Sequence, residues 1–129
     1  NEVWSCTDQV YEILSDYLRL RERMLPYITE LMEAAHEKGT PVMRPLFYDF
    51  PDDKDSWNVE TEYMFGPKVL VKPITDKDAR ETDVYLPKGA SWTNAWTGET
   101  FEGGQTVHVA APIEQIPLFT RDGYKLPME

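Results

Sequence analysis

With 129 residues, 41% of them apolar, and with four Trp, seven Tyr and five Phe, the chain is long enough to bury a core and too apolar to be disordered. A formal net charge of −10, with Lys and Arg scattered along the chain, excludes a nucleic-acid-binding face and an anionic membrane surface as partners, while a neutral ligand such as a sugar is indifferent to it. The single cysteine, Cys6, allows no internal disulfide, and no apolar run approaches the ~18 residues of a membrane span.

The chain opens "NEVWSCTD", with neither an initiator Met nor a basic-then-apolar leader, and reads as a segment of a longer protein. The first third then has helical spacing. Val10, Ile13, Leu14, Tyr17, Leu18, Met24, Leu25, Ile28, Leu31, Met32 and Ala35 recur at three- and four-residue steps. Ser5 or Thr7 can cap the start, with Asp8 placed to complete a box with Ser5. Gly39 and Pro41 end it, after His36 and Lys38 in the last turn. Pro26 lacks an N–H and crowds the carbonyl of Glu22, so the helix is expected to kink or split there. A stripe that long asks for more cover than the remaining residues offer. Pairing into a homo-oligomer through Ile28, Leu31 and Met32 is the expectation for a face left open.

"PVMRPLFYDFP", Pro41 to Pro51, predicts a short buried strand, and "DDKDSWNVETEYMFG" a short helix or irregular turn. From Gly66 onward the pattern changes. "KVLVKPI", "TDVYLP", "SWTNAW", "QTVHVAAP" and "IPLFTRDG" are short β-rich runs between Pro, Gly, Asn or Asp, as in a small antiparallel sandwich. The fold class is therefore α+β, with a boundary near Gly66.

Chemistry is sparse. No Gly-rich phosphate loop, HExxH, GxSxG or CxxC occurs, so no cofactor or metal is expected. His36 and His108 read as a helix-end and a strand-face residue, and Cys6 as a small apolar side chain. Glycosidase chemistry needs two carboxyl groups held about 5 Å apart, or further for inversion. Asp49 is the one acid at a strand end among aromatics, and it has no partner. Asp52, Asp53 and Asp55 read as a solvated turn, as do Asp76, Asp78 and Glu81. In "SWTNAWTGETFEGG", Trp92 and Trp96 would share a strand face. A sandwich core is the favoured reading of that pair; the alternative is a stand-alone carbohydrate-binding module that uses them as a sugar platform.

The order of segments carries more. "RPLF", "FGPxxLVxP", "YLPxG" through "WTGE", and "IPLFxRxG" (Arg44–Phe47, Phe65–Pro73, Tyr85–Glu99, Ile116–Gly123) occur in the sequence in which they stand in glycoside hydrolase family 31, the α-glucosidases, α-xylosidases and relatives. The chain closely resembles the C-terminal part of that family over nearly its whole length. The resemblance implies that residues 1–65 are the C-terminal end of a (β/α)8 catalytic barrel, with a long kinked helix and the last barrel strand, and that residues 66–129 are the proximal C-terminal β-sandwich. It implies carbohydrate substrate bound through the rest of the barrel. "NEVWS" resembles the tail of a loop near the substrate pocket, which makes Glu2 and Trp4 substrate-proximal, although Val3 stands where many members have Pro. The family's catalytic aspartates precede everything in this chain. No Asp here inherits their role, and the chain alone is expected to be inert scaffold.

Overall fold

The computed structural model describes residues 19, 21–74, 79–112 and 116–125. The cap expectations for Ser5, Thr7 and Asp8, and the positions of Glu2, Trp4, Cys6, Asp76 and Asp78, lie outside these residues. Helix α1 runs Leu25–Lys38, with Pro26 in its first turn, where a missing N–H leaves no gap in the ladder. Residues 21–23 are also helical, and Met24 between them and α1 is in a turn. At the other end Gly39 takes the left-handed conformation, and its N–H caps the Ala35 carbonyl at 3.0 Å.

Eight strands follow: β1 Met43–Pro45, β2 Tyr63–Phe65, β3 Val69–Val71, β4 Glu81–Leu86, β5 Ser91–Asn94, β6 Thr100–Glu102, β7 Gln105–Ala110 and β8 Leu118–Arg121. Between β1 and β2 lie a four-residue helix α2, Leu46–Asp49, and a 3-10 turn, Lys54–Asn58. All pairings are antiparallel. One sheet has the order β1-β2-β3-β8-β5-β6, and β4 pairs with β7 in a second. The architecture is mixed helix and antiparallel sheet, consistent with a small β-sandwich.

Strand alternation splits the core in two. On β2, β3 and β8, Met64, Leu70 and Phe119 point between the sheets, where they meet Val84 and Leu86 of β4, Val107 and Val109 of β7, and Trp92 of β5. Their neighbours Tyr63, Phe65, Val69, Val71 and Leu118 point the other way, against Met24, Tyr27 and Leu31. One period-two pattern therefore serves two interfaces, and the six-stranded sheet is the middle of three layers.

Of the helix stripe, Met24, Tyr27 and Leu31 are buried on this chain's own sheet, while Leu25 and Met32 are left outside; its positions 10–18 lie outside the described residues. One expectation changes here. "PVMRPLFYDFP" is not one buried strand. Only Met43–Pro45 is extended, antiparallel to β2, and Leu46–Asp49 closes into a helical turn. The cause is a clasp across the turn. The Arg44 guanidinium donates to both Asp49 oxygens (2.7 and 2.9 Å) and to the Pro41 carbonyl (2.7 Å), which drives Leu46 into the core.

Docking of α1 rests on Gly66. Its φ is +68°, and a Cβ there would collide with Tyr27 Oη and the Leu31 side chain. The close approach lets Tyr27 Oη donate to the Phe65 carbonyl (2.6 Å) and accept the Lys68 N–H (3.2 Å). Burial pushes the Tyr27 phenol up to about 12, so it stays a neutral donor.

Candidate functional site

The tryptophans of the hairpin go to different places. Trp92, on β5, is fully buried, with Nε1 donating to the Pro87 carbonyl at 3.0 Å and its ring 5.6 Å from that of Phe50. The strand ends at Asn94. Its Oδ1 accepts the N–H groups of Trp96 (2.9 Å) and Thr97 (3.3 Å), and its carbonyl accepts that of Gly98 (2.8 Å), which turns the chain. Trp96 thus leaves the strand and its shared face with Trp92. It packs half-buried in the helix-side cluster, and its Nε1 donates to the Ile116 carbonyl at 2.7 Å. Neither indole forms an open platform. The turn also undoes the assumption of four-residue strand periodicity between them.

Asp49 is committed to Arg44 through both oxygens, and its side chain is 11% exposed. His36 stands exposed in the last turn of α1. His108 lies on the outer face of β7 opposite Asp83, with Nδ1 2.6 Å from Asp83 and Nε2 3.4 Å from Glu81. Its hydrogen bonds to the carboxylates of Asp83 and then Glu81 hold its pKa above the ordinary value. Among the described residues no cluster of three or more His, Cys, Asp or Glu side chains could hold a metal.

Asp53 departs from the solvated turn expected of it. It is buried, caps the 3-10 turn, and accepts hydrogen bonds from Tyr85 Oη (2.5 Å), Lys88 N–H (2.9 Å), Ser56 Oγ (3.0 Å) and Asp55 N–H (3.2 Å). Burial pushes its pKa up, but those donors together outweigh burial and hold it below the usual carboxylate value. Tyr85 answers in the opposite sense, its phenol raised by burial and by the bond to Asp53.

A groove of about 750 Å³ lies between α2, the 3-10 turn and the segment after β3. Phe47 and Trp57 lie flat on each other on its wall, with centroids 4.2 Å apart and planes 9° apart. Glu62 lines it too, almost fully buried. Its Oε1 accepts the Tyr85 N–H at 2.6 Å, while Oε2 has no partner among the described residues. Burial raises this carboxyl from an ordinary 4.5 to about 7, against the lowering effects of the Tyr85 N–H and the Lys72 charge. The sequence signal for this groove was present but diffuse: an aromatic at 47 and another at 57 flanking "DFPDDKDS".

A family model described as the Glycosyl hydrolase family 31 C-terminal domain matches residues 39–126. The chain is 40% identical over 122 residues to alpha-glucosidase 2 of Bacillus thermoamyloliquefaciens, covering 95% of this chain and 15% of that protein. It is 40% identical over 127 residues to the alpha-xylosidase of Saccharolobus solfataricus, covering 98% and 17%. The crystal structure of a family 31 alpha-xylosidase from a soil metagenome, complexed with xylose, superposes with a TM-score of 0.88 at 46% identity, over 96% of this chain and 18% of that one. The chain belongs to glycoside hydrolase family 31, as a C-terminal domain of such enzymes. It spans less than a fifth of the length of these relatives.

Proposed function

We propose that this chain is the C-terminal portion of a retaining α-glycosidase, of the α-glucosidase or α-xylosidase type, that releases α-linked sugars from non-reducing ends. In that reading residues 1–65 close the catalytic barrel and residues 66–129 form the proximal sandwich, with the β1–β2 pairing at the junction. Two carboxyl groups outside this chain would act as nucleophile and acid–base through a glycosyl–enzyme intermediate and an oxocarbenium-like transition state. Glu2 and Trp4 would stand near the substrate, and the described residues would hold the frame.

The observation that carries the scaffold role is the state of Asp49. The acid best placed by sequence for glycosidase chemistry is paired with Arg44 through both oxygens and is only 11% exposed, which supports a structural role for it. Its bond to Arg44 shapes the α2 turn. The test is an assay of this chain and of a longer parent against nitrophenyl α-glucoside and α-xyloside. An active parent with an inert chain agrees with the proposal. Turnover by the chain alone, lost in Asp49→Asn, overturns it.

A further inference from the structure

The scaffold role leaves the groove beside Trp57 unexplained. We propose that this groove is a saccharide-binding site that takes a neutral oligosaccharide, with the C–H face of one pyranose ring on the Trp57 indole.

The ring is set before any ligand arrives. Trp57 is 54% exposed, yet it is stacked on Phe47, and its Nε1 donates to the Pro51 carbonyl at 2.9 Å. An exposed indole fixed at both its face and its N–H loses little entropy when a sugar ring lands on it. Beside it the wall is polar in the way hydroxyl groups need. Lys72 Nζ donates to Thr61 Oγ1 at 2.9 Å, and Glu60 lines the same groove, which offers donors and acceptors on its wall.

The second, independent feature is Glu62. It is only 5% exposed and lines the groove, and its Oε2 has no hydrogen-bond partner among the described residues. A buried polar atom without a partner requires an explanation. A sugar hydroxyl both donates and accepts, so it can partner the carboxylate or the carboxylic acid without bringing a charge. Glu60, on a chain of net charge −10, opposes an anionic ligand. The volume of about 750 Å³ falls within the ~300–1,000 Å³ of small-molecule sites.

The site does not depend on the proposed catalytic role, and its test reads binding rather than turnover. Maltotriose and methyl α-xyloside are titrated into ¹⁵N-labelled chain while the four indole N–H signals are followed, with the Trp57 signal identified from its loss in Trp57→Phe. Saturable movement of the Trp57 signal and of the backbone amides of Thr61, Glu62 and Lys72 at millimolar sugar is expected, with the affinity read from those amides lowered about tenfold or more in Trp57→Ala and a few-fold in Glu62→Leu. Both variants should retain wild-type dispersion elsewhere in the spectrum. Absence of a saturable shift up to about 50 mM sugar, or amide shifts that saturate with unchanged affinity in Trp57→Ala, overturns the proposal. So does a Trp57 shielded from acrylamide in a longer parent without sugar, because the groove is then a seat for protein.

Discussion

Glu62 and Tyr85 join the two sheets at an edge. The Glu62 carboxyl, from the turn before β2, accepts the outward N–H of Tyr85 on β4, 2.6 Å away. Three residues further on, Asp53 accepts the N–H of Lys88 and also holds the Tyr85 hydroxyl. Two acids from the β1–β2 connection thus cover the open side of β4, whose other side pairs with β7. An uncovered strand edge would be a template for pairing with other chains.

Because Glu62 is raised from 4.5 to about 7 by burial, the folded chain holds a proton that the unfolded chain releases. Its stabilising contribution is therefore complete below pH 4.5. It falls between pH 4.5 and 7 and levels off above, a total loss of about 3 kcal/mol at about 1.4 kcal/mol per unit. Glu62→Gln should match the wild type near pH 4.5 and exceed it at pH 8. Urea unfolding of both proteins across that range checks this; a difference that stays flat with pH would show that the carboxyl is not held neutral.

Asp53 shifts the other way, so its contribution is present above the unfolded carboxylate pKa and is lost as pH falls through the lower folded one. Asp53→Ala orphans the Tyr85 hydroxyl and the buried Ser56 hydroxyl together with two backbone N–H groups. The expected cost is about 3 kcal/mol or more, against about 1 kcal/mol for Tyr85→Phe, which leaves the other three donors in place. Denaturant midpoints of the two variants test the ranking.

The runs "TDVYLP", "QTVHVAAP" and "IPLFTRDG" each hold a strand because their alternation extends over enough residues to be seen. β1, β2 and β6 have three residues each, too few for a period of two to show. The helix end at Gly39 was equally readable, since a left-handed cap is a local matter. Asp53 was not readable. Its neighbours in sequence are acids and a lysine, and it is buried by Tyr85 and Lys88, more than thirty positions away. The cover over Met24, Tyr27 and Leu31 was hard to read for a related reason: β3 and β8 each present apolar side chains on both faces, so one short strand serves two layers.

Gly66 and Gly39 share a φ of +68° but differ in their surroundings. An added Cβ at Gly39 meets nothing within 4 Å, whereas at Gly66 it strikes Tyr27 and Leu31. Gly39→Ala should cost the conformational penalty alone, about 1 kcal/mol. Gly66→Ala should cost that and also lift α1 from the sheet, with loss of the Tyr27 bonds to Phe65 and Lys68. Hydrogen exchange distinguishes the two. Faster exchange across 25–38 is expected in Gly66→Ala and only at the last turn in Gly39→Ala.

The tryptophans give the sharpest contrast. Trp92 fills the space between the sheets at 0% exposure, and Trp57 stands 54% exposed at the groove. Trp92→Ala leaves a cavity among Phe50, Leu70 and Phe119 and an unmet Pro87 carbonyl, at an expected ~3–5 kcal/mol. Trp57→Ala gives up a surface stack on Phe47 and should cost about 1 kcal/mol. Trp96→Phe keeps much of the apolar volume but strands the Ile116 carbonyl, accepted now at 2.7 Å, and should fall between the two. Thermal melts of the three variants should follow the order Trp92, Trp96, Trp57. A Trp57 variant as damaged as the Trp92 variant would mean that the Phe47–Trp57 stack is part of the core, and an exposed indole could then not be set aside for a ligand.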